Sequence, residues 1–241
     1  WNPVIGCTPV SPGCLNCYAA TMAHRLEKMH PNDYGPIEIG RSLSDGSIEG
    51  DAANGPKTTT RRIAEVRAGR AVFTGDVRTL PDRLTDPLSW RKPRRVFVCS
   101  MSDLFHEAVP FEFIDRLFAA MALCPQHTFQ VLTKRPERMA EYLRRGAEWV
   151  KDACILSFGE ECVFPWPLPN VWLGTSVENQ KAADERIPHL LRCPAAVRFL
   201  SVEPLLGPIE FSDVTGRADA VGQLGKRALE GIDWVIVGGE S

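Results

Sequence analysis

Short apolar runs alternate along the chain with longer stretches whose apolar residues have helical spacing. Five runs are nearly all apolar and rich in β-branched residues, as in parallel strands that are covered on both faces. We predict strands at residues 95–100, 128–133, 171–175, 197–202 and 232–237. Residues 4–6 are expected to end a first strand, and residues 71–74 to form another short one.

The stretches between these runs are predicted helices. Helical spacing of apolar residues favours helices at 18–29, 111–123 and 178–191, and Pro136 is placed to begin another that runs toward Lys151. Pro188 is expected to kink or shorten the helix that contains it. Alternating strands and helices form parallel βαβ units. We therefore predict an α/β fold, a full or partial TIM-like (β/α) barrel of parallel strands, with a doubly wound open sheet as the alternative.

Residues 31–70 interrupt this alternation. The segment is rich in Gly, Pro, Ser, Asp and Thr, so we interpret it as an insertion or mobile loop in a single barrel domain that spans residues 1–241. The chain starts at Trp1 and stops just after an apolar run, so we expect it to be truncated at both ends.

Composition and charge narrow the class of protein. Of the 241 residues, 44% are hydrophobic and 24% charged, which is typical of a soluble globular protein. The sequence contains no run of about 18 apolar residues, so we predict no membrane helix. The net charge of −2 lends no support to nucleic-acid binding. Five of the eight cysteines are scattered among apolar segments and are typical of small buried side chains in a reducing compartment, so we predict a cytoplasmic location.

The other three cysteines form a motif near the start of the chain. Cys7, Cys14 and Cys17 are separated by six and then two residues, a spacing that lets three thiolates converge on one centre. Gly6 and Gly13 each precede a cysteine and allow backbone conformations that aim the thiolates inward. The helix predicted at 18–29 begins directly afterwards, with its positive end toward the centre, where it favours an anionic group.

Three thiolates without a fourth suit a [4Fe–4S] cluster with one open iron, because closed iron–sulfur sites normally use four protein ligands. Structural zinc, which also takes four, is an alternative in which His24 completes the site, two helical turns beyond Cys17. Cysteines that bind nothing are the remaining alternative.

The sequence around the cysteines resembles the spore-photoproduct-lyase-like branch of radical S-adenosylmethionine (SAM) enzymes. The matching residues are Asn2-Pro3, Gly6-Cys7, Gly13-Cys14 and Asn16-Cys17-Tyr18-Ala19. The first loop is three residues longer than the usual CxxxCxxC, and Asn16 stands where an aromatic residue is common. Over most of its length the chain is similar to a phage-associated three-Cys-motif family of unknown function, in residues 1–19, 97–105, 132–136, 174–178, 199–205 and 235–241.

This resemblance implies that Cys7, Cys14 and Cys17 bind three irons of a [4Fe–4S] cluster and that SAM chelates the fourth. The reduced cluster would cleave SAM to a 5′-deoxyadenosyl radical, which abstracts a hydrogen from the substrate. The resemblance also implies a reductant such as flavodoxin or ferredoxin, a three-Cys-motif partner protein, and nucleic acid as a substrate class. No membrane partner is expected.

Polar residues follow each of the five predicted strands, and we interpret them as the rim of a pocket, since chemistry in barrels lies at the carboxyl ends of the strands. Helix caps and salt bridges are the alternative explanation. The residues are Asp103 and His106, Lys134 and Arg135, Ser176 and Glu178, Ser201 and Glu203, and Glu240.

The resemblance assigns roles to several of these residues. Ser176 and Glu178 are similar to the Ser-x-Glu pattern that contacts SAM ribose, and Ser201 with Glu203 is an equally good copy. Cofactor contacts are also predicted for Lys134, Asp103 and Glu240, while no residue is predicted to be catalytic. The leading hypothesis is a radical-SAM-like enzyme with an unidentified substrate. The alternative is a non-catalytic iron–sulfur or zinc protein that acts through a partner.

Overall fold

The computed structural model describes residues 1–40, 50–51, 55–56, 58–211 and 229–238. The strands of these residues, in chain order, are β1 (Val4–Ile5), β2 (Ile37–Gly40), β3 (Gly50–Asp51), β4 (Gly55–Pro56), β5 (Thr58–Arg61), β6 (Ala64–Arg67), β7 (Arg70–Phe73), β8 (Arg78–Thr79), β9 (Arg95–Val98), β10 (Thr128–Thr133), β11 (Val171–Ser176), β12 (Val197–Val202) and β13 (Trp234–Val237). The helices are α1 (Tyr18–Met29), α2 (Pro31–Tyr34), α3 (Phe111–Ala122), α4 (Pro136–Leu143), α5 (Glu148–Phe158) and α6 (Gln180–Leu191), with short 3₁₀ turns at Pro12–Cys14, Pro81–Arg83 and Asp86–Ser89.

A parallel five-strand sheet in the order β13-β12-β11-β10-β9 organises the fold. Each strand lies beside its predecessor in the chain. α3, then α4 with α5, and then α6 form the crossovers that connect β9, β10, β11 and β12 as parallel neighbours. This order contains no reversal, whereas a doubly wound sheet reverses at a switch point. The α/β class with parallel strands is therefore confirmed, and closure into a barrel stays a prediction.

The first residues of the chain extend the sheet beyond β9. The Cys99 amide donates to the Trp1 carbonyl (2.9 Å), the Gly6 amide donates to the Met101 carbonyl (3.1 Å), and Gly6 and Ser102 form a parallel bridge. β1 also pairs in antiparallel fashion with β8. The segment that leads into the first cysteine is thereby fixed against the carboxyl end of β9.

One face of the sheet packs against α3, α4, α5 and α6. Its buried side chains join those of the helices in one apolar cluster, which includes Val98, Phe129, Val131, Leu173 and Leu200. On the opposite face, Phe97, Trp172 and Trp234 are partly exposed and belong to neither apolar cluster of the described residues. Among these residues the helices of the main cluster therefore cover a single face of the sheet, whereas the apolar strand sequences predicted cover on both.

A second apolar cluster lies beneath α1. Ala19, Ala20 and Ala23 of α1 pack with Ile63 and other residues of the β6–β7 region. This region includes the end of the segment predicted to be an insertion or mobile loop. Ile63 and Ala64 are nearly fully buried, so here the segment is part of the core. Residues 41–49, 52–54 and 57 of the same segment lie outside the described residues.

Several element boundaries differ from the predictions for local reasons. The helix predicted from Pro136 toward Lys151 is two helices, because the chain turns through Gly146 at a φ of +85° between α4 and α5. The strand predicted at residues 95–100 is β9, which ends at Val98 because Cys99 adopts a left-handed φ of +58°. α6 begins at Gln180, capped by Asn179 Oδ1, which accepts from the Ala182 amide (3.0 Å), and it continues past Pro188.

None of the helices in the described part of the chain has the length and apolarity that a membrane span requires.

Gly174 in β11 provides a test of how tightly the sheet is packed. A Cβ at this position would lie 2.5 Å from the ring of Phe199 on β12. We expect Gly174→Ala to lower the free energy of unfolding by about 1–3 kcal/mol, as overpacking does, measured by urea denaturation. Gly207→Ala is the matched control, since a Cβ there meets nothing within 4 Å. Equal stabilities of the two variants would contradict the described packing.

Candidate functional site

The segment from Cys7 to Cys17, here called the cysteine loop, lies on the carboxyl ends of β10 and β11. At Gly13 a Cβ would lie 3.1 Å from both Glu178 Cδ and Lys134 Nζ, so the absence of a side chain lets the loop approach these groups closely. Pro12–Cys14 forms a 3₁₀ turn, and Cys17 is the N-cap residue of α1. The structure thus brings the cysteine motif to the edge where the strand-end residues were predicted to meet.

Asp103, in the turn after β9, joins two strand ends. Its Oδ1 accepts hydrogen bonds from Thr133 Oγ1 (2.7 Å) and the Phe105 amide (3.0 Å). Its Oδ2 accepts from the Lys134 amide (3.0 Å) and from Arg135 Nη1 (3.2 Å). The residue is buried, and both of its oxygens are bonded to protein groups. These contacts fix the ends of β9 and β10 relative to each other. The contact of Asp103 with a cofactor stays a prediction.

Arg135 connects this edge to the cysteine loop. Its Nη2 donates to the Thr8 carbonyl (3.2 Å) and to Thr8 Oγ1 (2.8 Å), and its Nη1 lies 3.8 Å from Cys7 Sγ. It also forms salt bridges with Asp103 (3.2 Å) and Glu107 (3.0 Å). A guanidinium presents five N–H donors in a planar fork and can contact several acceptors at once. The single ammonium group of a Lys side chain cannot reproduce this arrangement.

His106 supports the same loop. Its Nδ1 accepts a hydrogen bond from the Ala108 amide (3.0 Å), and its Nε2 lies 2.8 Å from Thr8 Oγ1. Burial lowers the pKa of His106, and the positive charge of Arg135 lowers it further. The ring is therefore neutral near pH 7 with its proton on Nε2, where it positions Thr8. Both ring nitrogens have protein partners, as expected of a structural histidine.

The environments of two cysteine thiols differ. Burial and the Asp103 carboxylate raise the pKa of Cys7 to about 11, although Arg135 acts in the opposite direction. For Cys14, burial raises the pKa, but Lys134, whose Nζ is 3.7 Å from the sulfur, and nearby hydrogen bonds outweigh it, so the pKa is lowered. The two sulfurs are close enough for a charge on Cys14 to raise the pKa of Cys7.

The donor atoms of these cysteines suit a metal centre, but their side chains are not arranged around a common metal position. In the described part of the chain, no three Cys, His, Asp or Glu side chains are arranged to hold a metal ion. Both the cluster on the three cysteines and the zinc site completed by His24 therefore stay predictions. The donor set nevertheless consists of soft sulfur atoms with cations beside two of them, which suits an anionic thiolate-bound cluster.

Glu178 is a buried carboxylate at this edge of the sheet. It is fully buried, and its Oε2 accepts from Arg186 Nη1 (2.8 Å), while its Oε1 has no hydrogen-bond partner among the described residues. Burial raises its pKa, but Ser11, Arg186 and Lys134 outweigh this, so the pKa is lowered and the carboxylate is charged. An unpaired buried carboxylate oxygen is costly, so a hydrogen-bond donor at Oε1 would be favourable.

The remaining predicted residues divide into two groups. Ser176 and Ser201 are buried and lie opposite each other on β11 and β12. Glu203 is exposed and lies against Gly238 at the β13 side of the sheet. The two Ser-x-Glu copies are therefore not equivalent, because Glu178 contacts the cysteine loop and Glu203 is directed elsewhere. Glu240 lies outside the described residues.

Sequence reasoning gave no role to three residues that shape the site. Asn2 Oδ1 accepts from Ser100 Oγ (3.1 Å) and the Met101 amide (3.3 Å), which fixes the approach to the loop. Thr8 receives Arg135, and Arg186 holds Glu178 from α6. The contact of Glu178 with Arg186 depends on how the turn before α6 folds back on the helix, so residue spacing gave no signal for it.

Fold and site together define an α/β protein in which a loop with three cysteines lies at the carboxyl edge of a parallel sheet. The family described as "Protein of unknown function (DUF5131)" matches residues 1–241, so the chain belongs to this family. Comparison with curated proteins found no match, and neither did comparison with solved structures. The family description specifies no reaction, so the relationship to radical SAM enzymes stays a prediction.

The two carboxylates that form salt bridges with Arg135 allow a matched test of this network. The Asp103 side chain is 8% exposed and that of Glu107 is 67% exposed. We expect Asp103→Asn to lower the free energy of unfolding by about 3–5 kcal/mol, because it leaves a buried cation without its main partner. Glu107→Gln should cost no more than about 1 kcal/mol. Urea denaturation measures both, and equal losses would contradict the assigned network.

Proposed function

We propose that the protein is a radical-SAM-like iron–sulfur enzyme in which Cys7, Cys14 and Cys17 hold a [4Fe–4S] cluster and SAM occupies its open iron. The observation that carries the proposal is the position of the cysteine loop, which lies over the carboxyl ends of parallel strands with Lys134 and Arg135 at two of its sulfurs. Reaction centres of β/α barrels lie at this edge.

Charge supports the assignment of an anionic group to this site. A thiolate-bound cluster adds negative charge to a partly buried location, which is unfavourable without nearby cations or oriented dipoles. Lys134 and Arg135 supply cations, and the N-terminus of α1, at Cys17, supplies a positive dipole end. Cys7 must lose its proton on binding iron, so its raised pKa makes metal uptake weaker at lower pH.

Glu178 supports the assignment of SAM. Its Oε1 lacks a hydrogen-bond partner among the described residues and is placed beside the cysteine loop, where it can accept from a ribose hydroxyl. Of the two Ser-x-Glu copies we therefore assign ribose binding to Ser176 and Glu178. Lys134, between Cys14 and Glu178, is placed to neutralise a bound carboxylate.

The bound cluster supplies one-electron cleavage of SAM to methionine and a 5′-deoxyadenosyl radical, with the electron coming from a flavodoxin- or ferredoxin-type reductant. The residues of the chain would hold and orient these groups. The helix-free face of the sheet, with Phe97, Trp172 and Trp234, would form the inside of a full or partial barrel and face the substrate. The substrate class is not assigned.

The first test is the EPR spectrum of the anaerobically reconstituted, dithionite-reduced protein, recorded with and without SAM. We expect a signal from a reduced [4Fe–4S] cluster that shifts when SAM is added, because SAM binds the open iron. A cluster signal indifferent to SAM would point instead to a non-catalytic iron–sulfur protein that acts through a partner. Tightly held zinc without iron would overturn the proposal.

Single replacements of the three cysteines test the ligand set. We expect Cys7→Ala, Cys14→Ala and Cys17→Ala each to lose most of the bound iron, because each removes one of three protein ligands. Cys162→Ala is the matched control, since Cys162 is half-buried like the other three but lies outside the motif. Iron and sulfide per chain are measured after reconstitution, and full iron in any of the three variants would exclude that cysteine as a ligand.

A further inference from the structure

Lys134 and Arg135 are consecutive residues, yet they contact different cysteines. Lys134 Nζ lies 3.7 Å from Cys14 Sγ, and Arg135 Nη1 lies 3.8 Å from Cys7 Sγ. Both residues lie just after β10, in the turn between Thr133 and the start of α4 at Pro136. One strand end therefore places a cation at two of the three sulfurs of the motif.

The two cations are held differently. Arg135 is buried, and its other donors are taken up by Asp103, Glu107 and Thr8. It can contact Cys7 only while the cysteine loop is docked, because the same guanidinium also binds the Thr8 carbonyl next to that cysteine (3.2 Å). Lys134 has a single flexible ammonium group, with Cys14 and Glu178 beside it.

We propose that Arg135 is a positioning residue that clamps Cys7 in place, and that Arg135 and Lys134 together set the reduction potential of the centre bound by the cysteine loop. The second part of this inference rests on the proposed function. Hydrogen bonds and positive charge at ligand sulfurs stabilise the more negative, reduced form of an iron–sulfur cluster. Removing either cation should therefore make the cluster harder to reduce.

The clamp is tested on metal-free protein by the rate at which iodoacetamide alkylates Cys7, followed by mass spectrometry with Cys162 as the internal reference. We expect Arg135→Met to increase the Cys7 rate at least tenfold. The exposure gained when the loop loses the contacts to Thr8 outweighs the higher pKa of Cys7 without the Arg135 charge. Arg135→Lys keeps the charge but not the fork of donors, so it should also release Cys7. It provides the test if Arg135→Met does not fold.

The potential is tested by redox titration of reconstituted protein, with the reduced cluster measured by EPR. We expect Arg135→Met and Lys134→Met each to lower the ratio of reduced to oxidised cluster at a fixed potential about tenfold, a shift of about 59 mV for one electron. Arg135→Lys should stay close to the unmodified protein. Lys151→Met is the control, since Lys151 lies on α5 and pairs with Glu148.

The outcomes separate the two proposals. Unchanged alkylation of Cys7 in both Arg135 variants would overturn the clamp, whether or not the protein binds iron. Unchanged midpoint potentials in an iron-loaded Arg135→Met and Lys134→Met would overturn the electrostatic role and leave the proposed function standing. If the unmodified protein binds no iron, the proposed function and the electrostatic role both fail, and the alkylation rates alone decide the clamp.

Discussion

The carboxylate of Asp103 is the group on which the arrangement of the site depends. It stands after β9 and bonds to Thr133 and the Lys134 amide at the end of β10, so it fixes two neighbouring strand ends relative to each other. Its charge is also the buried counterion of Arg135, which in turn reaches the cysteine loop. A buried guanidinium without this partner would bear a large desolvation cost. This ion pair therefore couples the sheet edge to the cysteine loop, alongside the contacts of His106 and Lys134.

Regular elements could be predicted from the sequence where local pattern and tertiary packing agree. β10, β12 and α1 have the predicted boundaries, because their apolar residues repeat at the period that the sheet and the core require. The prediction failed between α4 and α5, where the chain turns at Gly146 in a left-handed conformation that apolar spacing does not reveal. The end of β9 was missed because Cys99, a residue with no turn preference, adopts the same region.

The location of the candidate site could be predicted from the sequence, but the contacts between its side chains could not. Parallel strands bring their carboxyl ends to one edge, so the meeting of Asp103, Lys134 and Glu178 followed from the order of elements. Which cation serves which partner depends on side-chain direction at each strand end, and this is a tertiary property. The two Ser-x-Glu copies show the limit most clearly, since they are alike in sequence while one glutamate is buried and the other exposed.

The cysteine loop is made early in the chain, but the groups that hold it come much later. Its partners Asp103, Arg135 and Glu178 all follow it by at least the length of a small domain. At ribosomal rates of about 5–20 residues per second, roughly ten to thirty seconds separate the synthesis of Cys17 from that of Glu178. Until Glu178 is made, the three thiols lack at least one of these partners. The cysteine loop therefore completes its contacts only after three of the five sheet strands have been synthesised, although it stands near the start of the chain.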